Sequence, residues 1–250
     1  MSDHPPQADS APAAGLVFLY DVDNTLLNND TLKHDLDAQL DALLGVPESD
    51  LFWRIYEDVR EEEDVVDIPE ALRRFEEQCT NRPLCLSIRA VFDNVDFRHY
   101  LYPGALETLQ YTATLGTNVI LSDGDQVFQR RKIEESGIAD AAACHVLIYV
   151  HKEEHVQEIR ERFPARHYVM VDDKPRIIKA LPARFGGDLR TVFVCQGKYA
   201  RDPKRPADLA PDLTIAGIAD LQEYSAEELR TGRFHRQGSC PVDAGAAQAL

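Results

Sequence analysis

Four short apolar runs, each ending on a polar or charged residue, constrain this chain more than any other feature. Leu16, Val17, Phe18, Leu19 and Tyr20 form a continuous apolar stretch that stops at Asp21. Such a run is too short for a helix and lacks the alternation of a half-exposed strand, so it reads as a strand buried on both faces. The pattern returns at residues 117–121 before Ser122, at 146–150 before His151 and at 168–171 before Asp172. A helix-like pattern follows each. Repetition of strand, polar end and helix predicts an α/β fold: a Rossmann-like, doubly wound parallel sheet with its site along the carboxyl ends of the strands.

Between the first two runs the apolar spacing becomes helical. Leu32, Leu36, Leu40, Leu43 and Leu44 share one face, as do Phe52, Ile55, Tyr56 and Val59; Leu72 with Phe75, and Leu84, Ile88 and Val91, continue the pattern. Residues 29–100 therefore read as a helical cap inserted into an α/β core made of 15–28 and 101–231. Tyr102, Pro103 and Gly104 open a helix running to about Tyr111 that leads back into the sheet. Residues 1–14 and 232–250 lack periodic apolar positions and read as disordered tails.

A net charge of -16 repels polyanions, within the roughly 8 Å over which charges act at physiological salt. No basic stripe offsets it, which argues against nucleic acid as a partner. The acidic stretch 57–64 reads as the solvated face of a helix. Cys79, Cys85, Cys144, Cys195 and Cys240 are odd in number and lack close metal-ligand spacing, so they read as reduced thiols. No basic segment precedes the first apolar run and no run is long enough to cross a bilayer. A soluble cytoplasmic protein, monomer or homodimer, is the expectation.

Asp21 and Asp23 stand at the end of the first strand, and Asp172 and Asp173 at the end of another. If the strands are neighbours, these acids share a cleft. Two charges about 4 Å apart repel by about 4 kcal/mol at an effective dielectric near 20, so such a cleft demands a proton or a cation. Oxygen ligands of this kind select Mg2+, which commonly also holds phosphate. Ser122 and the N–H of Asp123 are placed to donate to a phosphoryl oxygen, and Lys152 to neutralise Asp21 and the transferring group.

The order of these residues resembles the haloacid dehalogenase superfamily. The first motif is read from residues 18–27, the second at Ser122, the third at Lys152 and the fourth at Val171, Asp172 and Asp173. The resemblance spans about residues 16–221. It implies Asp21 as a nucleophile forming an aspartyl-phosphate, and Asp23 as general acid and then base. It further implies Mg2+ held by Asp21, the Asp23 backbone carbonyl and Asp173 or Asp172. Ser122, with Thr25 in support, would hold the phosphoryl oxygens, and Lys152 would orient Asp21. Dehalogenases of the superfamily lack an acid two positions after the nucleophile, because halide leaves without a proton; Asp23 therefore favours phosphoryl transfer. A cap between the first two motifs implies a small phosphorylated substrate such as a nucleoside monophosphate, a sugar phosphate or a phosphoglycolate-like acid.

Other readings compete. Phosphomutase and dehalogenase chemistry use the same nucleophile, and a catalytically silent binding module could keep the same acids. His151, Glu154 and His155 fit an H-x-x-E-H zinc peptidase pattern if they lie on one helix. Asp123 and Asp125 are acids beside an expected phosphate site, and Lys174 and Arg176 are candidates for a distal anionic group or for helix-surface charges.

Overall fold

Alternate residues of the first strand face two separate apolar clusters. Leu16, Phe18 and Tyr20 pack into one, and Val17 and Leu19 into the other. This explains a run with no polar residue in it: neither face meets water. The computed structural model describes residues 14–63, 66–79, 81–202, 206 and 208–240. Its strands are β1 (Ala14–Tyr20), β2 (Thr117–Asp123), β3 (Val146–Tyr149), β4 (Ala165–Asp172), β5 (Leu189–Val194) and β6 (Leu213–Ile215). They form one sheet in the order β3-β2-β1-β4-β5-β6, with every neighbouring pair parallel. The order reverses direction at β1, which puts the ends of β1, β2 and β4 side by side at the crevice where open α/β sheets bind ligands.

Helices α1 (Asn29–Leu44), α2 (Val46–Glu63), α3 (Ile68–Gln78) and α4 (Arg82–Asp93) lie between β1 and β2 and pack on one another. Leu32, Leu36, Leu40 and Leu44 bury the inner stripe of α1. The Phe52 ring sits 5.9 Å from Phe75 and 5.3 Å from Phe92. Where the chain leaves the sheet region and where it returns are tied together: Asn28 N–H donates to the Tyr100 carbonyl at 2.7 Å, and Tyr102 N–H to the Leu26 carbonyl at 2.9 Å. An isolated antiparallel bridge between Leu27 and Leu101 completes this crossing.

The return leads into α5 (Ala105–Ala113), and β2 is followed by α6 (Phe128–Glu135) and the short α7 (Ile138–Ala141). Phe128 on α6 meets Phe92 and Phe97 at 6.1 and 5.5 Å, so α6 lies under the inserted helices. A 3-10 turn at Lys152–Glu154 and α8 (Val156–Arg162) follow β3. After β4 come α9 (Pro175–Phe185), β5, α10 (Gly197–Ala200), β6, a 3-10 segment at Ile218–Glu223 and α11 (Ala226–Thr231). No helix among the described residues is long and apolar enough to cross a membrane.

Two sequence expectations need correction or bounding. Residues 232–240 are not a frayed tail: Phe234 packs edge-on against Tyr224 at 5.6 Å, and Gln237 donates to the Asp212 carbonyl at 3.2 Å. The remainder of that expected tail, 241–250, and residues 1–13 lie outside the described residues. The cysteines are not all reduced, since Cys195 and Cys240 form a disulfide, Cys79 is disulfide-bonded too, and Cys144 is free. Packing of the 232–240 segment against β6 carries Cys240 to the end of β5, a proximity that the sequence spacing conceals. The acidic stretch of α2 is solvated, as its pattern suggests: Asp58, Glu61, Glu62 and Glu63 are exposed, and Glu57, on a cleft wall, pairs with Lys33 at 3.2 Å and Arg60 at 2.8 Å, while Asp64 lies outside the described residues.

Candidate active site

The β1 end is built to present Asp21. Its N–H donates to the Val171 carbonyl of β4 at 3.0 Å, and the carboxylate is fully buried. The chain then turns through Asn24, which adopts a left-handed φ of 61° that Asn tolerates better than most residues. Asn24 is fixed from both sides: its side chain exchanges hydrogen bonds with Asp30, and Gly197 presses against it. A Cβ on Gly197 would lie 2.5 Å from Asn24, so this approach admits only glycine. Gln196 braces the same turn, donating to the Thr25 carbonyl at 3.0 Å while accepting from Ile218 N–H at 2.6 Å.

Carboxylate oxygens of Asp21, Asp172 and Asp173 come within 4.8 Å of one another, all three residues being buried. Among the described residues this is the only group of His, Cys, Asp and Glu placed to hold a metal ion. Lys152, on the 3-10 turn after β3, reaches into the group. Its fully buried Nζ bonds Asp21 Oδ1 and sits 2.6 Å from Asp172 Oδ2. Burial by itself would push the Lys152 ammonium down, but Asp172 and Asp21 outweigh it and hold it above its ordinary value, so it stays a cation. Lys174 adds a second positive charge 3.7 Å from Asp21 and 3.3 Å from Asp123.

These cations do not neutralise the cluster. Burial, reinforced by the Asp21 charge, pushes the Asp172 carboxyl up to about 6. The same burial, with Asp21 and Asp172 adding repulsion, pushes Asp173 well above the usual carboxylate range. Both oxygens of Asp173, and Oδ2 of Asp21, are buried without a hydrogen-bond partner. Unsatisfied buried carboxylate oxygens are costly, and a hard divalent cation satisfies them. The donor set therefore fits Mg2+: oxygen only, with excess negative charge and no thiolate or imidazole that would favour zinc.

The other candidate residues fall in distinct places. Asp23 stands outside the carboxylate cluster, half-exposed at the cleft, with Oδ1 2.7 Å from Lys132 Nζ. Thr25 is buried with its hydroxyl oxygen unpartnered beneath the turn. Ser122, next to last in β2, has its Oγ accepting from Gln129 Nε2 at 2.8 Å. The Asp123 carboxylate is not free to meet phosphate. It accepts from Lys152 N–H at 3.0 Å and from Lys174 Nζ at 3.3 Å, and these lysines hold it below its ordinary range despite burial that works the other way. Asp125 caps α6 by accepting from Val127 and Phe128 N–H groups. Arg176 pairs with Glu153, away from the cluster.

The zinc arrangement of His151, Glu154 and His155 does not form. His151 precedes a 3-10 turn and His155 stands between that turn and α8, outside both, so the three never share one α-helical face. The His155 ring instead stacks on Tyr149 at 3.9 Å. Gln129 and Lys132, which grip Ser122 and Asp23, were missed by sequence reasoning; in the sequence they resemble the exposed polar face of any helix.

A cleft of about 1110 Å³ opens over the β1 end, with Asp23, Lys132 and Lys174 on the sheet side and Lys33, Trp53 and Tyr56 from α1 and α2 opposite. The inserted helices thus form one wall of the space that a substrate would enter.

No protein-family model and no curated protein matches the chain. Solved structures do. A haloacid dehalogenase-like hydrolase from Burkholderia xenovorans is 43% identical, with a TM-score of 0.78, covering 85% of this chain and 97% of that one. The Bacillus subtilis protein YfnB, of the same type and solved bound to magnesium, is 15% identical, with a TM-score of 0.56 over 84% and 97% of the two chains. An L-2-haloacid dehalogenase from Xanthobacter autotrophicus is 14% identical, with a TM-score of 0.54 over 83% and 96%. The last two share the fold. The first, matched over nearly its whole length at much higher identity, gives the assignment that the four strand ends point to: the chain belongs to the haloacid dehalogenase-like hydrolase family.

Proposed function

We propose that this hydrolase is a magnesium-dependent phosphatase that cleaves a small phosphate monoester through an aspartyl-phosphate on Asp21. The observation that carries the reading is the buried group of Asp21, Asp172 and Asp173 with its unpartnered oxygens. Displacement of a halide requires neither a proton for the leaving group nor a cation for its charge. A phosphoryl group, anionic throughout, requires positive charge at the nucleophile, and an alkoxide leaving group requires a proton.

In the first step an Asp21 carboxylate oxygen attacks phosphorus, the ester P–O bond breaks, and the departing oxygen takes the proton of Asp23. In the second, water attacks the same phosphorus, gives its proton to the Asp23 carboxylate and releases inorganic phosphate from Asp21. Lys152 holds Asp21 in its attacking position from within the core. Lys174 and Lys152 together offset the charge of the entering phosphoryl group, with the Ser122 hydroxyl and Thr25 as donors to its oxygens. Mg2+ bound by Asp21, the Asp23 carbonyl and Asp173 would supply further charge stabilisation there. Asp173 is preferred to Asp172 because Asp172 is already engaged by Lys152 and by the Lys174 N–H at 2.7 Å. Closure of the inserted helices over the cleft would exclude bulk water and favour a metabolite over a phosphoprotein.

The test is a panel of phosphorylated metabolites with Mg2+, scored by inorganic phosphate, alongside 2-haloacids scored by halide. Magnesium-dependent phosphate release that Asp21→Asn abolishes supports the reading. Halide release without phosphate release would replace it with dehalogenase chemistry, isomerised phosphoester without free phosphate with mutase chemistry, and folded but inert protein with a binding module.

A further inference from the structure

Helix α6 does more than support the sheet. Its buried face carries Phe128, Gln129, Lys132 and Ile133, and two of these are polar. Gln129 donates to Ser122 Oγ. One turn later Lys132, only 3% exposed, places its Nζ 2.7 Å from Asp23 Oδ1 and 3.0 Å from Asn29 Oδ1. The Phe128 ring lies 5.8 Å from the same ammonium. A buried ammonium is retained only where partners compensate its lost hydration, and here the compensating charge is Asp23. The relation is one-sided in its usefulness: no other hydrogen bond to the Asp23 carboxylate exists among the described residues, so Lys132 alone fixes where it points.

We propose that Lys132 is the positioning residue for Asp23, aiming its carboxyl at the leaving oxygen and linking that aim to the inserted helices. This rests on the phosphatase reading above. The link follows from Asn29, which opens α1, and from Phe128, which packs against Phe92 of α4: the atoms that hold Lys132 belong partly to the insertion. Lys132 touches no reacting atom. Its effect reaches the chemistry through Asp23, and therefore scales with how much the leaving group needs a proton.

The experiment uses two aryl esters with Mg2+. p-Nitrophenyl phosphate releases a stable phenolate that needs little help; phenyl phosphate releases a more basic one. The value of kcat/KM reports the step in which the ester bond breaks. A positioned general acid contributes about 10²–10⁴-fold, and losing its alignment is expected to forfeit part of that. Lys132→Met should lower kcat/KM about 30-fold for phenyl phosphate and less than about 3-fold for p-nitrophenyl phosphate, with Lys132→Arg restoring most of the loss. In an Asp23→Asn background, adding Lys132→Met should change neither ester by more than about 2-fold. Equal losses on the two esters, or an undiminished loss when Asp23 is already replaced, would show a merely structural lysine and overturn the proposal. Lys132→Gln carries the comparison should the Met variant melt below assay temperature. Wild type without Asp21-dependent turnover of either ester or of any phosphorylated metabolite in the panel would overturn the phosphatase reading and this assignment together, whereas active wild type with additive losses overturns this assignment alone.

Discussion

Replacing Asp172 by Asn should stabilise the metal-free protein, and only above a particular pH. The carboxyl of Asp172 is fully buried beside Asp21 and is pushed from its ordinary 3.8 up to about 6. Because the folded state raises this value, folded protein binds more protons than unfolded protein between those two pH values. Stability therefore falls as pH rises through that window, and the whole penalty is present above pH 6. At about 1.36 kcal/mol for each pH unit between the two values, ionised Asp172 costs about 3 kcal/mol. An Asn keeps an oxygen to accept from Lys174 N–H and removes the charge, but its NH2 then faces Lys152 Nζ, which keeps only Asp21 as an acidic partner, so the full penalty is an upper bound on the gain. For a chain of this size each kcal/mol moves the Tm by about 2–4 °C, so the variant should melt above wild type in EDTA at pH 8, by at most about 6–12 °C. The difference should shrink towards zero by pH 4. Saturating Mg2+ should stabilise wild type strongly at pH 8 and much less at pH 5, where protons compete for the same oxygens. The assay is thermal melting from pH 4 to 8, with EDTA and with Mg2+. A variant that melts at or below wild type in EDTA at pH 8, or a difference independent of pH, would refute the view that Asp172 is held ionised against its environment.

Three further outcomes follow from particular contacts. Gln129→Leu removes the donor to buried Ser122 and should cost about 1 kcal/mol in chemical denaturation, with a several-fold rise in KM for a phosphoester and a smaller change in kcat. Gly197→Ala forces a Cβ to within 2.5 Å of Asn24 at a φ of 65° and should destabilise by at least about 2 kcal/mol, read as a lower urea midpoint. Reduction of the Cys195–Cys240 disulfide, which joins residues 45 apart, should lower stability by about 4 kcal/mol on the chain-entropy account, seen as a Tm that drops with dithiothreitol by more in wild type than in Cys195→Ser, where only the disulfide at Cys79 is left to reduce.

The parts of this fold legible in the sequence are those whose physics is local. A parallel strand covered on both faces must be apolar throughout, so residues 16–20 and 168–171 declared themselves, and an acid at the end of such a run stood out because nothing in the strand explains it. Asp21, Asp172 and Asp173 were legible for that reason, as was the helical spacing of α1. Lys132 and Gln129 were hidden because the inward face of α6 is polar, and polar residues at helical spacing signal solvent unless the partner across the interface is known. The residues of 232–240 offered too few apolar positions to predict docking, although Phe234 and Cys240 suffice once β6 is beside them. His151, Glu154 and His155 misled in the opposite direction: their spacing carries meaning only on a continuous α-helix, and the 3-10 turn at Lys152 removes that condition. The Asp123 carboxylate could not be assigned to its lysines because both approach from other strands' ends.

In the proposed mechanism Asp21 becomes covalently phosphorylated. The most direct test is mass spectrometry of protein mixed with p-nitrophenyl phosphate and Mg2+, quenched in acid within the first turnover and digested. One added phosphoryl group is expected on the peptide containing Asp21, increased when Asp23→Asn slows attack by water, and absent with Asp21→Asn. Phosphate release that proceeds with no adduct on that peptide, or that survives Asp21→Asn, would contradict the mechanism.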